Sequence, residues 1–540
     1  MTLSSRPVRD FYRFSSTEND EIADSSQDIE RQPISLRPLR RQHLSEPVQH
    51  TGTKTEWEPR FNELQKKYND VSTYQLIQNL RATSFDVVRE SLSVLRLRCG
   101  KDKNENEDRD VLIGQNGVDV LIQVIRTYPD TSLVNDALCV LTNISALDTS
   151  YTLTVAHSGF LDLFPSFLAS PSPDIVNQAL WTLSHIAADS ANLREFILLN
   201  KSIVPALEPL ISLDNPHLPY VLFVFCNITI QQHHNPIFDR AFTLILNISS
   251  AFTSSSVQAR FAVRSSMRAR PFKDALRVVQ QLSSNNPSRI TEICHSELLI
   301  AISNLFNQSS QKPMDFCDSA SFLRSLLQSN AEFDTIALSL HNSQAISRLV
   351  HLLKLYIIQA TTSAVQELFF HAISCFVTLA TRIPPFCQFL FTSEFADILP
   401  QIIQMYSPKV VQPIISLFTH YVLHDTDVTI DFVQLTLTLN IPQLLYLCIK
   451  KFIMSDEARL ILQLLLRYYN FAITLSLHQE STGIVRERSL EDVFYQQIRD
   501  SDIESFLLAN EACLKSRAPD EYVDLIAFLN AQKQRRDHRF

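Results

Sequence analysis

The chain has 540 residues, of which 6 are glycine; 45% are apolar, 19% are charged, and the formal charge is −9. So little glycine excludes a protein built on many phosphate- or dinucleotide-cradling loops, which need positive φ and close backbone approach. The negative charge argues against a general nucleic-acid binder and favours cationic partners, while the apolar share suffices for a large core or a repeat array at this length.

Residues 1–65 are rich in Ser, Glu, Arg and Pro and lack apolar periodicity, so they read as a disordered arm. Arg6, Arg9 and Arg13 come first, then the acids Glu18, Asp20, Glu21 and Asp24. A basic cluster follows, with Arg31, Arg37, Arg40, Arg41 and His43 and no acid among residues 31–43. No apolar core suited to a secretory leader follows the first arginines, and nowhere do about 18 apolar residues run uninterrupted, so neither a leader nor a membrane-spanning helix is expected. The nine cysteines are scattered singly, several in apolar periodic segments such as those of Cys226 and Cys448. That pattern suits small buried side chains in a reducing compartment.

From about residue 70 to 510 the helical period dominates, and residues 511–540 read as a terminal helix with a basic tail. Three segments superpose: VNDALCVLTNIS, VNQALWTLSHIA and LPYVLFVFCNIT. Cys139, Trp181 and Phe223 fall 42 residues apart, as do Asn143, His185 and Asn227. Each segment is preceded by a shorter apolar element and by a loop of one kind, YPDTS, SPSPD or LDNPH. The unit is therefore a short helix, a second helix and a longer third helix, and this period and layout belong to armadillo or HEAT solenoids. An all-α, right-handed superhelix of roughly nine or ten armadillo repeats is predicted, with a long concave groove.

On the third helix, positions i and i+4 share one face. Gln178, Trp181 and His185 line up there, with Asp189 one turn beyond; Cys139, Asn143 and Thr152 precede them and Phe223 and Asn227 follow. Asn offers a donor and an acceptor to an extended peptide backbone. Trp or Phe offers a shelf for a Lys or Arg stem and a π face for its charge, and an acid such as Asp189 can pair one ammonium. Together they describe a reader of extended basic peptides.

The stretch from Thr142 to Leu207 resembles the second and third armadillo repeats of the importin-α family, adaptors for Lys/Arg-rich nuclear localisation signals. Family members carry Trp-x-x-x-Asn on most third helices. Here Asn143 and Asn227 match the Asn and Trp181 matches the Trp, whereas Cys139 and Phe223 replace Trp and His185 replaces Asn. The resemblance implies that Gln178, Thr152 and Asp189 contact the signal, with Asp189 taking its critical lysine. Arg9-Asp-Phe-Tyr-Arg13-Phe14 followed by Ile34-Ser-Leu36-Arg37-Pro-Leu-Arg40-Arg41 is similar to the family's importin-β-binding segment, which folds back into the groove when free. It is less basic, and Pro33 and Pro38 stand where a helix is expected. The resemblance also implies shuttling between cytoplasm and nucleus, an importin-β-like carrier, and contact with an export receptor and nucleoporins.

A second peptide site is harder to find. Asn304, with Ile300 at the Trp place, is the first candidate; Ile336 with Leu340 and His371 with Cys375 are the next pairs. No Trp follows Trp181, so bipartite signals are expected to bind poorly. No HExxH, GxxxxGK[ST], GxGxxG, GxSxG or CxxC motif is present, and no Cys/His set has zinc spacing. Neither catalysis nor a metal or other cofactor is expected. The alternative reading is another armadillo scaffold, without import activity.

Overall fold

The computed structural model describes residues 63–100, 107–146, 148–262, 270–308, 313–329, 332–359, 362–383, 385–423, 439–482, 496–497, 500 and 502–537. The arm, with Arg9, Arg13, Arg31, Leu36, Arg37, Arg40 and Arg41, lies outside them. Among the described residues nine third helices form one stack, each packed on the next. We number them α1 (Phe85–Cys99), α2 (Thr131–Ser145), α3 (Pro173–Asp189), α4 (Leu218–Ile228), α5 (Pro271–Ser283), α6 (Pro313–Gln328), α7 (Ser363–Arg382), α8 (Pro408–Leu423) and α9 (Glu457–Thr482). Shorter helices cover one side of the stack. The second helices of successive repeats, such as Leu298–Leu305, Ala345–Tyr356, Glu394–Met405 and Ile441–Phe452, make a row of their own. At the far end the helix Pro519–Asp537 lies on α9, and Glu521 there accepts from Arg459 and Gln463, both at 2.8 Å.

Polar residues at the loops start the helices. Asp130 accepts from the Ser132 and Leu133 N–H groups ahead of α2, and Pro173 opens α3, where its missing N–H costs nothing. Left-handed turns are made largely without glycine. Asn116, Gln231, Asn285, Glu332, Gln344, Asn440 and Asp502 all adopt positive φ, which Asn and Asp tolerate best among non-glycine residues. Gly159 takes φ +92° at a turn where an added Cβ would meet Arg126 at 3.0 Å, so this position does need glycine.

Leu, Ile, Val and Phe fill one continuous core along the whole stack. Helix α7 is long and apolar enough to cross a bilayer by length and composition alone, but Leu368, Phe369, Ile373 and Phe376 are buried inside the solenoid. All nine cysteines are free and seven of them are buried; burial pushes the thiols of Cys99, Cys317, Cys375 and Cys448 up to about 12.

The carbonyl end of each helix needs donors that the helix cannot supply. At the ends of α2, α3 and α5 a side chain seven residues further on supplies one. Arg194 donates to the Ala187 carbonyl at 3.1 Å, Arg289 to the Leu282 carbonyl at 2.8 Å and Thr152 to the Ser145 carbonyl at 3.0 Å. Arg109, ten residues further on, reaches the Cys99 carbonyl at 2.6 Å. Arg289 also holds the loop after α4, through the carbonyls of His233 and Asn235 and the Asp239 carboxylate at 2.6 Å, and stacks over Phe242. Arg289→Ala should cost about 2–4 kcal/mol by losing these charge-assisted bonds. In urea unfolding it should stand far apart from Arg260→Ala, whose exposed pair with Asp214 is worth under about 0.5 kcal/mol.

Candidate functional site

Side chains of the third helices either join neighbouring helices or face outward, and polarity alone does not separate the two. Between α1 and α2, Arg96 donates to Asp136 at 2.5 Å, and Ser93 donates to its other oxygen at 2.9 Å. Between α2 and α3, Gln178 donates to Thr142 at 2.5 Å, and Thr142 and Thr182 share a bond of 2.6 Å. Between α3 and α4, Asn227 donates to Ser184 at 3.0 Å.

These bonds explain where the expected groove residues lie. Asn143, Trp181 and Asp189 are partly exposed on the outward face of α2 and α3. Gln178, His185, Phe223 and Asn227 are buried, as is Cys139, whose thiol burial holds at about 11 beside Arg96. Thr152 is fully buried, and its one hydroxyl proton is shared between two carbonyls at 3.0 Å, those of Ser145 and Asp148. It occupies the helix-end position that Arg109, Arg194 and Arg289 fill elsewhere. Asn304 is corrected: it lies on Leu298–Leu305 in the second-helix row and accepts from Arg348 of Ala345–Tyr356 at 2.5 Å. Ile336 and Leu340 are core residues of a first helix, Phe333–Asn342. His371 and Cys375 do belong to a third helix, α7.

What the fold assembles is an aromatic cluster spanning two repeats. Trp181 lies 6.0 Å from Phe223 and 6.1 Å from Tyr220 between ring centroids, with His185 edge-on at 5.6 Å. Tyr220, one turn before Phe223, belongs to this cluster and carries no motif of its own; its spacing three residues ahead of Phe223 was the available signal. Asn143 flanks the cluster on one side, its amide nitrogen 3.5 Å from where a Cβ on Gly100 of the preceding repeat would stand. At the far end Asp189 accepts from Thr149 at 3.4 Å. The arrangement offers the partly exposed rings of Trp181 and Tyr220, which meet edge to face at 68° over buried Phe223, with an amide on the preceding helix and a carboxylate one helix end away. A Lys or Arg stem laid on such a surface gains about 0.5–2 kcal/mol.

Further along the stack the column changes chemistry. Arg277, Arg324 and His371 recur 47 residues apart, and Gln281, Gln328 and Cys375 recur one turn later with the same spacing. Thr229 donates to Gln281 at 2.8 Å and Cys226 to the Asp274 carbonyl at 3.2 Å, which sets α4 beside this part of α5. Arg324 donates to His371 at 3.2 Å and lies over Phe370, as does Lys409. Burial, reinforced by the Arg324 and Lys409 charges, lowers His371 to about 4, so its ring is the neutral acceptor. On the buried side, desolvation raises Asp274 to about 7 and Asp318 to about 6.

The armadillo/beta-catenin-like repeat is matched by residues 105–146 and 148–188. Importin subunit alpha-1b of Oryza sativa subsp. japonica is 36% identical over 83 residues, which is 15% of this chain and 15% of that protein. Importin subunit alpha-5 of Arabidopsis thaliana is 32% identical over 115 residues, 21% of this chain and 22% of that protein. The chain thus spans under a quarter of the length of these relatives. The crystal structure of an engineered protein superposes with a TM-score of 0.58 at 15% identity, covering 80% of this chain and 98% of that one, a likeness of fold alone. The fold is an all-α armadillo solenoid.

Two outcomes follow from the site's polar pairs. Thr142→Val strands the Gln178 amide and should cost about 1–3 kcal/mol; adding Gln178→Leu should recover part of that loss in a double-mutant cycle. Asp274 and Asp318, raised when folded, bind more protons in the native than in the unfolded chain between about pH 4 and pH 7. Stability therefore falls as pH rises through that window. Asp274→Asn should shrink the drop in melting temperature between pH 5 and pH 8.

Proposed function

We propose that the protein is a non-enzymatic peptide-binding adaptor whose first-half groove takes an extended Lys/Arg-rich signal of the nuclear-localisation type and links its bearer to an importin-β-like carrier. The aromatic cluster carries this reading, because its partly exposed rings, Trp181 and Tyr220, can seat basic stems while buried Phe223 backs them. Asn143 would hold the peptide backbone and Asp189 would pair one ammonium. The buried members, Gln178, Thr152, His185, Asn227 and Cys139, would act by holding the shelf in register rather than by touching the peptide. Partial similarity to importin-α proteins supports the same reading.

The arm completes the proposal. Its basic block at residues 31–43 would compete with cargo for the groove, and a carrier bound to the arm would free the groove for cargo. Two ligands contending for one surface are linked, so each weakens the other by the same factor. Shuttling between cytoplasm and nucleus, return through an export receptor and contact with nucleoporins belong to this proposal as well. The last arginine-rich residues, Arg535, Arg536 and Arg539, have no assigned part in it.

Binding of a labelled monopartite signal peptide, followed by fluorescence polarisation, tests the reading. Trp181→Ala should weaken binding about 3–30-fold, the range the shelf contributes. Asp189→Lys should weaken it further, since a like charge then faces the ammonium. Neutralising Arg37, Arg40 and Arg41 in the full chain should tighten it. If the peptide binds neither the full chain nor that arm variant, the alternative of a scaffold with another partner takes over.

A further inference from the structure

Between α4, α5 and α6 the stack encloses a trough of about 390 Å³. Amides and hydroxyls line it, among them Gln281, Ser284, Gln328 and Ser329, with Gln280 donating to Ser325 at 2.5 Å, and no Asp or Glu among the described residues lines it. The Ser329 hydroxyl there is buried without a hydrogen-bond partner. One turn before Gln281 and Gln328, on the same helix faces, stand Arg277 and Arg324, both partly exposed. This is the column that carries Trp181 and Phe223 in the first half. There it ends in a carboxylate, Asp189; here it is made of donors.

We propose that the trough, with Arg277 and Arg324, binds an extended acidic segment, and that its occupant is the chain's own stretch Glu18–Glu30. Guanidinium, amide and hydroxyl groups all donate to carboxylates, and the guanidinium bonds are charge-assisted. Residues 18–30 hold six acids, Glu18, Asp20, Glu21, Asp24, Asp28 and Glu30, and no Lys, Arg or His. The order of charge along the arm matches the order along the groove. Moving away from residue 63, the basic block 31–43 comes first and the acidic block second. Moving along the stack, the aromatic shelf with Asp189 comes first and the arginine column second. Reach is ample: the residues between Glu30 and residue 63 extend to roughly 100 Å, while α1 to α5 is four steps of about 10 Å. The assignment to the arm rests on the proposal that the arm enters the groove; the chemistry of the trough does not.

A labelled peptide of residues 16–30 is titrated by fluorescence polarisation into the full chain, and into a full chain carrying Glu18→Gln, Asp20→Asn, Glu21→Gln and Asp24→Asn. Binding should be at least tenfold tighter to the neutralised chain, whose own segment no longer competes. It should fall at least tenfold again when Arg277→Glu and Arg324→Glu are added, and weaken with salt. Gln281→Leu with Gln328→Leu, which removes donors without reversing charge, should lower it about 3–10-fold, and circular dichroism reports whether each variant keeps its helices. No binding to the neutralised chain, or binding indifferent to both arginines, overturns the proposal. Equal binding to the two chains overturns the choice of occupant. The basic signal peptide, titrated in parallel, should be unaffected by the two arginine changes, so a failure of the first-half groove is read separately.

Discussion

A helix in a stack must satisfy the carbonyls at its C-terminal end without water on every side, and the rest of this solenoid is arranged around that requirement. At four of these ends the donor comes from the following repeat's first helix, so that repeat closes the end of the one before it. Arg is the side chain used at three of the four sites, since it spans the gap and offers several donors. Continuity of the array is thus enforced by local chemistry as well as by the apolar core. Removing one such donor exposes two neighbouring repeats rather than one.

The second organising element is the polar pair between adjacent third helices, present from Arg96 with Asp136 near one end to Gln412 with Glu457 near the other. Apolar packing tolerates sliding; a buried side-chain hydrogen bond tolerates it far less, because a slipped partner is left unsatisfied. These pairs fix the register of neighbouring helices, and therefore decide which residues share the outward column. They also explain why the column changes character abruptly. In α3 and α4 it is aromatic and ends in an acid, whereas in α5 and α6 it is guanidinium and amide.

Much of this was legible in the sequence. The 42-residue period around Trp181 announces three-helix repeats because identical packing demands recur at identical spacing. The inner period of 47 residues around Arg277 and Arg324 is invisible to a Trp/Asn pattern, since neither residue occurs at those places. Gln178, Asn227 and Thr152 read as groove residues since a polar side chain on a solenoid helix looks the same whether it faces solvent or a partner on the next helix. The partners lie about 40 residues away or, for Thr152, across a helix end, and only the fold brings them together. Asn304 failed for a different reason: its local sequence mimics a third helix, but its helix stacks in the second row.

The aromatic shelf has one further property. Trp181 and Phe223 belong to different helices, so their contact crosses a joint of the stack instead of lying within a rigid rod. Anything laid across both rings bridges that joint, and any bending of the joint moves the rings apart. Occupancy of the shelf and curvature of the superhelix are therefore one variable seen from two sides. A ligand spanning both helices would stiffen the solenoid as a splint does, and mechanical strain on the solenoid would change its grip on that ligand.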